Sequence, residues 1–295
     1  MSKFFLALLT MWSMAVVAET KTYELDSVFN GMEKAEFVTV DTQYGPVLKG
    51  RLVGGNEKNY ELPDTCEPEG GNAVLTDAYV VKGEYSYFLF TCAWSVQHPG
   101  IALSGTQYKT FVYPVNSLNT ISKNLMLSQS LSGYEGSLEE GARSYAWYTE
   151  RKLAKDKILE LEAGKKIDSL ALAHRIVLKR LKDKDYDAIS YYLSPEQIGH
   201  MKANSPISKI TAPIYNDFGF ALSESGESDL AYSLLKDVEA VSPDRVVLKL
   251  NIADVLWVSD KEKSKLYYKN YIETMQAAGK EKLIPQRAFE RRALN

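Results

Sequence analysis

The stretch "GFALSESGESDLAYSLLKDVEAVSP", residues 219–243, spaces Gly219, Ala231 and Pro243 at even twelve-residue intervals through an amphipathic run. Tyr215, Phe218, Gly219 and Leu222 fall at i, i+3, i+4 and i+7, so they share one helix face. Leu230, Ala231, Leu234, Leu235 and Val238 share another after Gly226. The pattern predicts two antiparallel helices turning at Gly226. Gly219 and Ala231 lie where the backbones cross, and Pro243 ends the second helix because it has no N–H to donate.

Working outward, the chain from Arg143 onward is written in Ala, Leu, Lys and Glu at helical spacing. It predicts helices near 143–163, 167–182, 185–193, 195–203, 207–224, 228–241, 245–258, 261–277 and 284–293. Upstream, from Thr22 to about Pro114, short runs rich in Val, Tyr, Phe and Thr are divided by Gly45-Pro46, Gly54-Gly55, Gly70-Gly71 and Pro99-Gly100. These are antiparallel strands. Tyr85 to Trp94 is apolar on both faces, which predicts a central strand. Residues 117–142 are serine-rich and lack a long strand pattern. The expected fold is therefore α+β: an antiparallel β domain, sandwich or barrel-like, over 19–116, a linker over 117–142, and an all-α domain over 143–295.

Residues 212–245 resemble a tetratricopeptide repeat through Tyr215, Phe218, Gly219, Leu222, Gly226, Ala231, Leu235 and Pro243. A second repeat is similar through Ile252, Ala253, Leu256, Ser264 and Tyr268, with a turn one residue shorter. Val238 and Tyr271 depart from the family's usual alanine. "KDKDYDAISYYLS" from Lys182 resembles the second half of a further repeat. The resemblance implies hairpins stacked into one core and a protein or peptide partner on the concave face made by the first helix of each repeat. The residues it leaves pointing away from the hairpin core are Asn216 and Phe220, then Asp254 and Trp257. The competing expectation is that Phe220 and Trp257 pack as core. The family's basic clamp for a terminal carboxylate is not evident.

The first residues give the address. One lysine precedes an apolar stretch from Phe4 to Val17, and Val16 and Ala18 occupy the −3 and −1 positions of a cleavage site, which predicts a signal peptide over 1–18 cut after Ala18. The apolar stretch falls short of the roughly 20 residues a spanning helix needs, and no later segment is long enough, so no stable membrane span is expected. Export to the periplasm or outside the cell makes Cys66 and Cys92, the only two cysteines, most simply a disulfide.

Chemistry is harder to find. Eight basic and thirteen acidic residues before residue 125 of the mature chain, and 26 and 25 after it, leave no basic excess for a nucleic acid. His98, His174 and His200 are scattered, with no metal-binding spacing, and neither a GxGxxG nor a P-loop occurs, so no cofactor is expected. Ser104 in "GIALSG" lacks the nucleophile-elbow spacing. The basic region at Lys165, Lys166, Arg175, Lys179, Arg180, Lys182 and Lys184 is diluted by Asp168, Asp183, Asp185 and Asp187, which fits a solvated helix face. The leading expectation is an exported, non-enzymatic binding protein, either an envelope assembly factor or an inhibitor or immunity-type protein. The alternative is an envelope hydrolase with an active site in the β domain around Ser104, His98 or Tyr108.

Overall fold

A computed structural model describes residues 20–55, 58–115 and 122–294. The predicted signal peptide, 1–18, lies outside the described residues. The chain divides into two compact units, Met1–Ala146 and Trp147–Asn295, in the expected α+β order.

In the first unit, β1 (Thr20–Phe29), β2 (Met32–Thr42), β3 (Gly45–Gly54) and β4 (Asn59–Glu61) form one antiparallel sheet in sequence order. A second antiparallel sheet holds β5 (Val74–Lys82), β6 (Ser86–His98), β7 (Leu103–Pro114), β8 (Gly133–Ser137) and β9 (Arg143–Ser144), also in order. Side chains from both sheets share one core, among them Phe37 and Leu52 from the first and Phe88, Phe90 and Trp94 from the second. Of the two expected forms, the unit is therefore a sandwich. Residues 87–94 of β6 are buried on both faces. The alternate set Phe88, Phe90, Cys92 and Trp94 enters the shared core, which is why this strand reads as an uninterrupted apolar run.

Cys66 and Cys92 form the disulfide, with Cα atoms 6.3 Å apart. Cys66 also pairs through its backbone with Leu48 of β3. The bond therefore links the first sheet, through the 62–71 loop, to β6, an interior strand of the second. Trp94 Nε1 donates to the Glu67 carbonyl at 2.7 Å and fixes the same loop.

The expected linker is corrected in its described part. Residues 122–144 belong to the β unit: α1 (Leu125–Leu131) and β8 both lie along β7. β8 covers β7 only from Ser104 to Tyr108. Beyond it, serine hydroxyls take the place of a strand: Ser132 Oγ accepts from Thr110 N at 2.9 Å, and Ser128 Oγ accepts from Val112 N at 3.0 Å. Buried backbone donors need such partners. The serines that resemble linker composition are thus the groups that satisfy a strand edge.

The second unit is all-helical: α2 (Arg151–Glu162), α3 (Leu170–Lys182), α4 (Tyr186–Tyr192), α5 (Pro195–Asn204), α6 (Ala212–Glu224), α7 (Ser228–Val241), α8 (Val246–Ser259), α9 (Lys261–Ala277) and α10 (Gln286–Ala293). The first helix begins at Arg151 and not near 143, because Arg143 and Ser144 pair with β8 as β9. Hairpins α6/α7 and α8/α9 stack in a repeat-like manner, with α3 and α4 both packed on α6. One core runs from Leu153 to Leu256, and a second joins α8, α9 and α10 around Tyr268, Ile272 and Ala288.

The opening stretch folds as a hairpin. α6 ends at Glu224, Gly226 takes the left-handed conformation (φ 88°) in the turn, and α7 stops at Val241, two residues before Pro243. Gly219 makes room for Leu235 rather than Ala231: a Cβ there would stand 2.5 Å from Leu235 Cγ and Cδ2. Leu235 is fully buried and has no space to yield. Gly219→Val is expected to cost about 2–3 kcal/mol by overpacking. Gly199→Ala in α5, where a Cβ would meet nothing within 4 Å, gains up to ~1 kcal/mol of helix propensity. Thermal melts of the two variants, moving in opposite directions, check this.

Candidate functional site

Two regions of the helical unit carry concentrated polar chemistry. The first is the face of α6 and α8 that holds the four expected contact residues. Asn216 is 1% exposed, its Oδ1 accepting from Asn251 Nδ2 at 3.2 Å, so it ties α6 to α8. Next to it, Asp217 Oδ2 meets His174 Nε2 of α3 at 2.9 Å. Phe220 is partly buried but, among the described residues, is not one of the side chains packed on either core of the unit.

Asp254 and Trp257 have company that the sequence reading missed. Asp254 accepts from Tyr268 Oη at 2.6 Å, from Arg287 Nε and Nη2 at 3.1 and 2.8 Å, and from Arg291 Nη1 at 2.9 Å. Burial, then the Asp254 hydrogen bond, pushes the Tyr268 hydroxyl up to about 12, so it stays a donor. Trp257 packs edge-on against Tyr268 at 6.2 Å and lies under the Arg291 guanidinium at 5.2 Å and the Lys261 ammonium at 5.6 Å. The structure brings Asp254 and Trp257 together under α10, and Trp257 takes the packing role weighed against partner contact. The i, i+4 spacing of Arg287 and Arg291 was the available signal. It marked one basic helix face, but nothing in the sequence aimed that face at Asp254.

The second region is a cavity of about 640 Å³ bounded by the start of α2, the loop between α2 and α3, α4 and the start of α5. Its floor is Asp168. Tyr148 Oη donates to both carboxylate oxygens at 2.7 and 2.8 Å, Tyr192 Oη to Oδ2 at 2.6 Å, and Lys157 Nζ to Oδ1 at 2.8 Å. The Asp168 and Lys157 side chains are 6% and 9% exposed. Burial first, then the Asp168 charge, raises both tyrosines far above the ordinary phenol range, so each is a fixed O–H donor and not a general base. Next to Asp168, Glu160 accepts from the backbone N of Ser169 at 2.9 Å and from its hydroxyl. Sequence reading treated Asp168 as surface dilution of a basic region. Tertiary burial, which periodicity does not reveal, makes it a core acceptor.

In the β unit, the hydrolase candidates do not converge. The β6–β7 register sets His98 opposite Leu103, Ser104 opposite Gln97, and Tyr108 opposite Ala93. Successive strand residues point to opposite faces, so His98 projects from one face of the sheet and Ser104 and Tyr108 from the other. Ser104 spends its backbone N–H and carbonyl on Ser137 Oγ. No group of three or more His, Cys, Asp or Glu that could hold a metal ion occurs among the described residues. No helix of the described residues is long and apolar enough to cross a membrane.

No protein-family model matches the chain, and a search of curated proteins finds no match. The class defined by its own residues is a two-unit α+β chain, a disulfide-linked β-sandwich followed by a helical repeat-like unit.

Proposed function

We propose that this chain is an exported, non-enzymatic binding protein whose tetratricopeptide-like hairpins take an extended peptide segment of a protein partner along the α6 and α8 face. The observation that carries the reading is Phe220: a large aromatic on the first helix of a hairpin, partly exposed to solvent. Around it, the Asn216–Asn251 and His174–Asp217 pairs hold α3, α6 and α8 in a fixed arrangement. Aromatic side chains on a rigid helix face supply desolvated contact area at low entropy cost. Asp254, held by two arginines, and Trp257, packed under α10, border that face and set its far edge. The disulfide supports an extracytoplasmic address, in keeping with the signal peptide expected over 1–18. Both an envelope assembly factor and an inhibitor or immunity-type protein use such a surface.

A displayed random-peptide library selected on the mature chain tests the reading. Selected peptides are expected to lose binding to Phe220→Ala while the melting temperature of the variant stays within about 2 °C of the parent, as for a residue outside the core. A fall of roughly 3 kcal/mol in stability would instead make Phe220 a core residue.

A further inference from the structure

The α2–α5 cavity lies apart from the α6–α8 face and has no part in that reading. Its aromatic surface is fixed. The Tyr148 and Tyr192 hydroxyls are locked onto Asp168. Trp147 packs on Tyr192 at 4.8 Å and alongside Tyr191 at 6.3 Å with rings 24° apart. Tyr191 is 61% exposed. A rigid aromatic surface of this kind, at a cavity of ligand size, suits a flat apolar ring face. Ser190, Ser194 and Gln197 line the same cavity with hydroxyl and amide groups, so its occupant has to offer polar groups too.

Charge narrows the class. Asp168 is held by three protein donors, Tyr148 shared between its two oxygens, Tyr192 and Lys157, and its charge is already met by the Lys157 ammonium, so it is not the group that selects a ligand. Nearby charged residues are also spent: Arg175 on Asp156, Lys179 on Glu150 and Asp183, Arg180 on Asp185. Lys166 differs. It lines the cavity and the adjoining groove between the α2–α3 loop and α5, and among the described residues it has no ion-pair partner, like its neighbour Lys165. The uncommitted charge at the site is positive.

We infer that this cavity binds a saccharide bearing a carboxylate, its ring stacked on the exposed aromatic surface at Tyr191, its hydroxyls met by Gln197 and the serines, and its carboxylate met by Lys166. A purely apolar ligand leaves the polar lining unmatched, and a cation meets the free lysine. A pyranose offers a C–H face and a polar edge together, and a carboxylate satisfies the remaining charge.

Isothermal titration of the mature chain with tetragalacturonate, a hyaluronan tetrasaccharide and a sialyl-lactose, each against neutral N-acetylchitotetraose, tests this. At least one acidic probe is expected to bind about tenfold or more tighter than the neutral one, the scale of one charge-assisted hydrogen bond. Lys166→Ala removes that preference, Tyr191→Ala or Gln197→Ala weakens binding of the acidic probe, and Phe220→Ala leaves it unchanged. Lys166 is exposed, so its variant keeps the fold, and the assignment holds or fails on it even if Tyr191→Ala lowers stability. Four results overturn the inference: no acidic probe binds, the neutral probe binds equally, Lys166→Ala binds like the parent, or a polyglutamate peptide binds in place of the saccharides. Loss of peptide binding in Phe220→Ala with saccharide binding intact separates the two sites.

Discussion

Replacing Asp168 by alanine lowers the stability of the helical unit by about 3–5 kcal/mol, the cost of removing one partner from a buried charge pair. The size follows from what is left behind. Lys157, 9% exposed, keeps its ammonium with no carboxylate, and the Tyr148 and Tyr192 hydroxyls lose the acceptor that joins the segment before α2 to the end of α4. Circular dichroism melts at the helical minimum should show a fall in Tm of roughly 10 °C. Asp168→Asn retains an acceptor for the tyrosines but not the charge, and falls between the parent and the alanine variant. The sign of the alkaline limb follows from the same cluster. Both tyrosines titrate higher in the folded chain than in the unfolded one. Their contribution is therefore complete below pH about 10, the ordinary phenol value, and is lost as pH rises toward the folded value.

The second large effect belongs to the β unit. Substituting both cysteines by serine is expected to cost about 2–5 kcal/mol. The bridge spans a sequence separation of 26 and holds the 62–71 loop, paired with β3 at Leu48, against β6. Both cysteines are fully buried, so thiol labelling of the native oxidised chain is negligible, and reductant acts only on molecules that have already opened. Two labelled thiols in folded, unreduced protein would contradict the pairing.

Where the sequence was readable, the physical signal was local and repeated. The spacing of Gly219, Gly226 and Pro243 describes a hairpin because small-residue approach, turn conformation and helix termination are each fixed by one residue. The two-sided apolar run ending at Trp94 likewise specifies a strand buried inside a sheet, and β6 is one, paired on both sides by β5 and β7. Signals failed where a side chain's role depends on a distant partner. Ser128 and Ser132 read as linker, since nothing local shows that Thr110 and Val112 lack a strand partner. Asp168 reads as solvated because its three partners come from residues 11 to 24 positions away. Asp254 and Trp257 read as open because the helix that covers them, α10, lies about thirty residues further along the chain and meets them through Arg287 and Arg291 and through the core shared with Ala288. In the β unit, Ser104, His98 and Tyr108 are close in sequence, yet pleat parity sends them to different faces.

The proposed partner face is tested most directly by placing a photo-crosslinking amino acid at position 220 of the full-length chain, irradiating intact cells and mapping the adduct by mass spectrometry. A stoichiometric adduct on an extended segment of one partner protein, suppressed by excess of a library-selected peptide, is expected. The partner face is contradicted if position 220 yields no intermolecular adduct, or crosslinks only within its own chain to α7 or α8, which would make Phe220 part of the packing and leave the first-helix face without a partner.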